Sequence, residues 1–177
     1  MTGWWFELLR AQDLPLLHGW LLRPHVAQWW GPAESMDQLH ADYVADQRLP
    51  GATLAYIASL DGAPVGFIQS YVAMGSGHGW WEDVTDPGVR GIDQFLAHAD
   101  QLNQGMGRAM VRAFTGRLLA DPAVSLVQTD PSPDNARAIR CYVQAGFQAV
   151  REVETPDGPA LLMHCTRPMA PGTAAAA

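Results

Sequence analysis

The spacing of apolar residues along the chain predicts alternating helices and strands. Apolar residues recur three or four positions apart in four segments, which predicts one helix that begins after Asp13 and three more at residues 35–48, 105–119 and 134–145. Runs rich in β-branched and aromatic residues predict seven strands, at residues 6–10, 53–60, 64–73, 89–96, 124–128, 147–154 and 160–166. This order of elements predicts a single mixed α/β domain.

Turn residues and crossovers predict how these strands pair. Asp61-Gly62 separates two predicted strands, and Pro156-Asp157-Gly158 separates the last two, so each pair is predicted to form an antiparallel hairpin. The strand–helix–strand units of the second half predict local parallel pairing. We expect residues 1–167 to form the domain and residues 168–177, which are of low complexity, to form a flexible C-terminal tail.

Composition narrows the class of protein. The chain has 177 residues, of which 48% are hydrophobic and 16% charged, which suits one folded domain and excludes general disorder. No apolar run approaches the ~18–20 residues of a membrane span. Two cysteines, Cys141 and Cys165, are too few for a disulfide framework, and six scattered histidines form no metal site. We therefore expect a cytoplasmic protein without a metal.

The charge balance bears on the partner. The formal net charge is −7, and all 11 basic residues are arginine. This acidity disfavours a nucleic-acid partner and leaves a cationic one open. The absence of lysine excludes Schiff-base and lysine-nucleophile mechanisms.

Two stretches carry candidate chemistry for a phosphate-bearing ligand. Residues 101–107 read Gln-Leu-Asn-Gln-Gly-Met-Gly and lead into the predicted helix 105–119. Two glycines there let several backbone N–H groups point at a pyrophosphate, although the same glycines also suit a tight turn. Residues 135–147 place Asn135, Ala138 and Tyr142 on one helix face, with Gly146 as the helix stop. Tyr142 alone would suit an aromatic at the edge of the core.

In this order and spacing, the two stretches resemble the GCN5-related N-acetyltransferase (GNAT) superfamily. The second matches the pattern Asn-x-x-Ala-x-x-x-Tyr-x-x-x-Gly-Phe at every defined position, whereas Leu102 stands where the first pattern usually has Gln or Arg. The resemblance implies a mostly antiparallel sheet with a splayed parallel pair, and acetyl-CoA as cosubstrate. It implies that the cofactor-binding residues are Leu96, His98, Gln104, Gly105, Met106, Gly107, Arg108, Asn135 and Tyr142.

Further stretches resemble the aminoglycoside 6′-N-acetyltransferases of the Ib type, namely residues 69–71, 75–82, 85–94, 128–133 and 155–160. The resemblance implies acetylation of the 6′-amine of kanamycin, tobramycin or amikacin, which confers resistance, by a monomer or weak dimer. It implies two catalytic residues. Asp93 accepts the amine proton or orients the ammonium, and Tyr142 protonates the thiolate. The implied substrate-binding residues are Gln69, His78, Trp80, Trp81, Asp93, Asp130 and Asp157.

The acidic residues support this interpretation to different degrees. Asp93 interrupts a predicted strand that otherwise offers apolar residues, which favours a functional role over a structural salt bridge. Glu82, Asp83 and Asp86 equally suit a solvated acidic face. Trp80-Trp81 equally suit ordinary packing, and Gln69 an outward polar position.

His78 stands where the Ib type usually has an acid, so we expect an altered preference among aminoglycosides. Two alternatives stay open. The chain could be a GNAT acyltransferase acting on a different amine or a siderophore hydroxylamine, or a non-catalytic module that binds acyl-CoA or a drug.

Overall fold

A computed structural model describes residues 3–49 and 51–167 as an open seven-stranded sheet with helices on both faces. The strands are β1 Trp4–Leu8, β2 Leu54–Leu60, β3 Ala63–Val72, β4 Val89–Leu96, β5 Leu126–Thr129, β6 Gln148–Thr155 and β7 Gly158–Cys165. The helices are α1 Leu14–Leu21, α2 Pro24–Trp30, α3 Met36–His40, α4 Met106–Leu119 and α5 Ala136–Ala145. The strand order is β1-β2-β3-β4-β5-β7-β6, and every neighbouring pair is antiparallel except β4–β5.

This architecture confirms the predicted mixed α/β fold with its parallel pair, but two helical segments differ from the prediction, and the ends of several elements, β1, β5 and β7 among them, are shifted by one or two residues. Helix α2 was not predicted, because it has seven residues and buries only Val26, too little for a periodic pattern. The helix predicted at residues 35–48 is the short α3, followed by one π-helical turn at Ala41–Ala45. β1 begins earlier than predicted, since Trp4 already pairs with Leu60. The tail expected at residues 168–177 lies outside the described residues.

The core lies on both faces of the sheet, which explains why β2 to β4 are apolar on both sides. One face packs on α4 and α5, through residues such as Ile92, Met110 and Phe114. The other packs on α1 to α3, through residues such as Trp20 and Phe67. Among the described residues no helix has the length and apolar character needed to cross a membrane.

A gap between β4 and β5 opens the sheet. The two strands pair only where Val89, Arg90 and Gly91 face Leu126, Val127 and Gln128. β5 then ends at Thr129, whereas β4 continues to Leu96. The Ala97 N–H bonds the Val65 carbonyl at 2.8 Å, so by antiparallel alternation the main-chain groups of Gln94 and Leu96 point into the gap. The functional site is expected there, at the carboxyl ends of parallel strands.

Candidate active site

Two cavities lie side by side at the gap between β4 and β5. The larger is a cleft of about 910 Å³ and the smaller a groove of about 340 Å³. They meet at five shared lining residues, which are Trp29, Trp30, Gln94, Asn135 and Ala138. A molecule in the cleft and a molecule in the groove would therefore touch at the open edge of β4.

The cleft is acidic. Asp93 from β4, Asp130 just after β5 and Asp157 from the β6–β7 turn all line it, and no arginine or histidine among the described residues does. Burial, followed by the charges of Asp93 and Asp157, raises the pKa of Asp130 to about 8. Three carboxyl groups so close together, with no cation to pair them, favour a ligand that brings several positive charges.

Asp93 stands in a cross-strand pair with Gln69. Burial raises the pKa of Asp93, the Gln69 amide lowers it, and the charge of Asp157 raises it again. Gln69 Nε2 donates to Asp93 Oδ2 at 2.9 Å. A carboxylate whose pKa lies above the ordinary aspartate value is better suited to accept a proton.

A buried phenol faces the same cleft. Tyr142 on α5 is only 4% exposed, and burial raises its pKa, an effect that hydrogen bonding with Thr129 opposes. Asn135 sets the start of α5, since its side chain accepts from the Ala138 N–H at 3.1 Å. Gly146 ends the helix in the left-handed region, at φ 109°. The helix thus holds a neutral, proton-bearing hydroxyl beside the acids.

The groove has the opposite charge. His25, Arg108, Arg137 and Arg140 line it, and no acidic residue among the described ones does. Gly105 precedes the 14-residue α4 in a left-handed conformation, with φ 82°, so the helix N-terminus opens onto the groove. A cationic rim and a helix N-terminus together suit phosphate groups.

Gly107 and Cys141 show how closely α4 and α5 approach in the groove. A Cβ at Gly107 would lie 3.3 Å from Cys141 Sγ and 3.6 Å from Leu96 Cδ1, so a side chain there would narrow the groove. Burial raises the pKa of the Cys141 thiol to about 11, which leaves it protonated and a poor nucleophile at neutral pH.

Helix α2 holds the free end of β4. His25 Nε2 donates to the Leu96 carbonyl at 3.0 Å, and Arg23 Nη1 donates to the Ala97 carbonyl at 2.5 Å. These contacts were not predicted, because they depend on a helix that the apolar pattern does not reveal. They fix the unpaired end of β4, which forms one wall of the groove.

The structure brings most of the predicted site residues to the two cavities. The cleft holds Gln69, Trp80, Asp93, Asp130, Asn135, Tyr142 and Asp157, and the groove holds Leu96, Gly105, Gly107, Arg108 and Asn135. Neither cavity is lined by His78, Trp81, His98, Gln104 or Met106.

The glycine-rich loop at residues 75–79 places Trp81 and His78 outside both cavities. Both adopt left-handed backbone conformations, with φ 50° and 54°. Trp81 is buried behind the cleft, where its Nε1 donates to the Tyr71 hydroxyl at 3.1 Å, so it supports the wall rather than forming it. His78 is exposed. The Gln104 amide is used locally, as a donor to the Asp100 carbonyl.

Glu82, Asp83 and Asp86, which the sequence left open as either site residues or a solvated acidic face, are surface residues. Asp86 accepts from the Gly88 N–H at 2.7 Å and from Ser125 Oγ at 2.6 Å, so it ties the loop before β4 to the segment before β5. Asp83 pairs with Arg151 at 2.8 Å, and Glu82 is exposed. None of these acids lines the cleft.

Sequence reasoning missed several aromatic residues that line the cleft. Tyr71 follows Gln69 by two residues in β3, and side chains two apart in a strand lie on the same face, so this spacing was a signal that Tyr71 lines the cleft. Trp30 and Tyr43 come from α2 and the π-helical turn, and only the fold brings them there. Both pack edge-on against Phe67, with ring centroids 5.6 and 5.5 Å apart.

Comparison with known proteins agrees with this geometry. The family model described as "Acetyltransferase (GNAT) domain" matches residues 10–155. The chain is 53% identical over 166 residues to an aminoglycoside N(6′)-acetyltransferase type 1 from Klebsiella pneumoniae, which covers 91% of this chain and 82% of that protein. A solved structure of AAC(6′)-Ib with coenzyme A and kanamycin superimposes with a TM-score of 0.88, at 48% identity, covering 93% of this chain and 95% of that one. Another, with parmomycin and acetyl-CoA, has a TM-score of 0.89, 48% identity and 94% coverage of both chains.

Proposed function

The chain belongs to the GNAT acetyltransferase family, and we propose that it is an aminoglycoside 6′-N-acetyltransferase that confers resistance. It transfers the acetyl group of acetyl-CoA to the 6′-amine of aminoglycosides such as kanamycin, tobramycin and amikacin. The observation that carries the proposal is the junction of an acidic cleft with a cationic groove at the open edge of β4. Similarity to aminoglycoside acetyltransferases over most of the chain supports it.

The groove fits the nucleotide end of acetyl-CoA. Arg108, Arg137 and Arg140 supply positive charge, and the N-terminus of α4 supplies N–H groups for a pyrophosphate. Gly107 leaves room where a side chain would meet Cys141. Acetyl-CoA supplies the acetyl group as an activated thioester. Because that metabolite is made and used inside cells, the proposal places the enzyme in the cytoplasm.

The cleft fits a polycationic sugar. Asp93, Asp130 and Asp157 pair with ammonium groups, and a charge that arrives with the substrate offsets the repulsion among the three acids. Trp80 and Tyr71 supply flat apolar surfaces for sugar rings. A neutral substrate would leave the three carboxyl groups without positively charged partners.

Two side chains handle the protons. Asp93 accepts the proton of the 6′-ammonium, which frees the amine to attack the carbonyl, and its raised pKa suits this role. The N–H groups of Gln94 and Leu96 that face the gap can bind a carbonyl oxygen. Tyr142, kept protonated by burial, donates a proton to the departing sulfur.

The proposal is tested by following thiol release from acetyl-CoA with kanamycin, tobramycin or amikacin as acceptor. We expect turnover with each drug, and NMR of the product should show acetylation at the 6′-amine. An aminoglycoside with a 6′-hydroxyl instead of the amine is the matched control and should give no N-acetyl product. A silent assay with intact coenzyme A binding would instead favour a different amine or hydroxylamine as substrate, or a non-catalytic role.

A further inference from the structure

Gln69 stands directly opposite Asp93 in the antiparallel β3–β4 ladder. The register places both side chains on the same face of the sheet, in the wall of the cleft. Gln69 Nε2 donates to Asp93 Oδ2 at 2.9 Å, whereas Asp93 Oδ1 has no hydrogen bond to a described residue. One carboxyl oxygen is thus held by the amide while the other stays available to a ligand.

The titratable groups around Asp93 bring it no positive charge. Asp157, from the β6–β7 turn, brings a like charge that raises the pKa of Asp93, and burial with the charges of Asp93 and Asp157 raises the pKa of Asp130, at the end of β5, to about 8. The remaining titratable neighbours are phenols, namely Tyr43 from the π-helical turn, Tyr71 from β3 and Tyr142 from α5. Burial raises the pKa of each phenol, so none is a cation or an anion at neutral pH.

Arg90 is the one cation on β4, and it is directed away from the cluster. Its Nη1 donates to the Pro87 and Val89 carbonyls, and it does not line the cleft. Among the described residues, it is therefore the amide N–H of Gln69 that favours the ionised form of Asp93. A hydrogen bond to the charged form of an acid stabilises that form.

We propose that Gln69 is a positioning residue, whose amide N–H favours the ionised form of Asp93 and turns its Oδ1 towards the reacting amine. This inference rests on the proposed acetyl transfer. In that step a proton leaves the 6′-ammonium nitrogen for Asp93 Oδ1, and the freed nitrogen lone pair forms the bond to the acetyl carbon. The C–S bond of the thioester then breaks, and coenzyme A leaves as a thiol whose proton comes from Tyr142. The second proton of the attached nitrogen passes through water to the Tyr142 oxygen, and Asp93 releases its own proton to water. The side chain of Gln69 itself need not touch the substrate.

The test is the pH dependence of kcat in Gln69→Met, a variant of similar length that lacks the N–H donor. We expect the acid limb of the profile to move upwards by about 1 pH unit, since one charge-assisted hydrogen bond is lost. At a pH well below the midpoint, kcat falls about tenfold, and at alkaline pH it approaches that of the parent enzyme. The KM for acetyl-CoA should not change.

Gln148→Met is the matched control, because Gln148 lies exposed on β6 and lines neither cavity. It should leave the profile unchanged. If Gln69 only supported the strand, Gln69→Met would lower kcat equally at every pH and leave the midpoint in place. An unmoved midpoint in a folded Gln69→Met would overturn the proposal.

Two further variants keep the test decisive. Gln69→Glu keeps the size but adds a like charge beside Asp93, so it should move the acid limb upwards even where Gln69→Met does not fold. In an Asp93→Asn background, Gln69→Met should have little further effect on kcat. Full additivity of the two effects would count against the proposal.

The carboxyl ¹³C resonance of Asp93, assigned by its loss in Asp93→Asn, provides a readout without turnover. Its titration midpoint should be higher in Gln69→Met than in the parent protein. A shifted midpoint in a protein that acetylates no aminoglycoside would refute the proposed function but not the interaction. Turnover with an unshifted midpoint would refute only the role of Gln69.

Discussion

Asp130 offers a direct test of the electrostatics of the cleft, through the pH dependence of stability. Burial and the charges of Asp93 and Asp157 raise its pKa from 3.8 to about 8. The unfolded chain releases this proton near pH 4, whereas the folded protein holds it until about pH 8. Between these values the folded state binds more protons, so the free energy of unfolding falls as pH rises. Asp130→Asn removes this dependence and should stabilise the protein increasingly from pH 4 to pH 8.

The magnitude follows from the size of the shift. The difference between 3.8 and about 8 is about 4 pH units, which at 1.36 kcal/mol per unit gives an upper bound of about 5 kcal/mol. Water in the open cleft screens part of this cost, so we expect a measured gain of about 2–3 kcal/mol. At pH 4 the side chain at position 130 is neutral in both the folded parent and the folded variant, so the two proteins should differ only by the exchange of OH for NH₂.

The assay is urea unfolding of the parent protein and of Asp130→Asn at half-unit steps from pH 4 to pH 8.5. The quantity that matters is the difference in unfolding free energy, since carboxylates remote from Asp130 cancel in it. Asp134→Asn is the control, because it removes one negative charge from an exposed position four residues away. A difference that stays constant with pH, or that decreases towards pH 8, would refute the assigned electrostatics. The same variant should bind kanamycin more weakly, which calorimetry would measure.

Three further substitutions test the site. Tyr142→Phe should lower kcat at least a hundredfold while coenzyme A affinity, measured by calorimetry, stays within about threefold; an unchanged kcat would exclude Tyr142 as the proton donor. Gly107→Ala places a Cβ 3.3 Å from a thiol in the groove and should raise the KM for acetyl-CoA. Gly116→Ala, on the same helix, is the control because its Cβ meets nothing within 4 Å; it should leave KM unchanged and stabilise α4 by about 0.5–1 kcal/mol. Equal KM values for the two variants would contradict the assignment of the groove. Gly91→Ala would bring a Cβ to 2.1 Å from the Tyr71 ring and should cost about 3 kcal/mol in a thermal or urea melt, and a neutral result would show that the ring is free to move.

Local spacing was sufficient to predict most of the fold and to single out the two stretches that line the groove. The boundaries of β4, Val89–Leu96, are those predicted from its alternating residues. Asn135, Ala138 and Tyr142 share a helix face because three and four residues make one turn, a property that needs no tertiary information. The acids were predictable as a cluster only through the resemblance, because they are 37 and 27 residues apart in the chain.

Other parts of the site depend on packing that a single sequence does not encode locally. Trp80 and Trp81 are adjacent and chemically identical, yet one lines the cleft and the other is buried behind it. The left-handed conformation of Trp81 decides between them, and no spacing rule predicts such a conformation for a bulky residue. Likewise, His25 reaches Leu96 across 71 positions of sequence. A helix of seven residues with one buried side chain gives no periodic signal for that contact.

The length of β5 explains why both cavities form where they do. Asp130-Pro131-Ser132-Pro133 follows its last residue, Thr129, and a proline has no N–H with which to continue a ladder. β5 therefore stops after four residues, and β4 continues beyond it with an unpaired edge. The same stop puts Asp130 at the strand end, inside the cleft, and the next turn leads to the cap that starts α5. A proline-rich turn thus creates the gap between the strands and also supplies one of its acids. The opposite charges of cleft and groove can then bring a cationic amine and an anionic acyl carrier together at the edge of one strand.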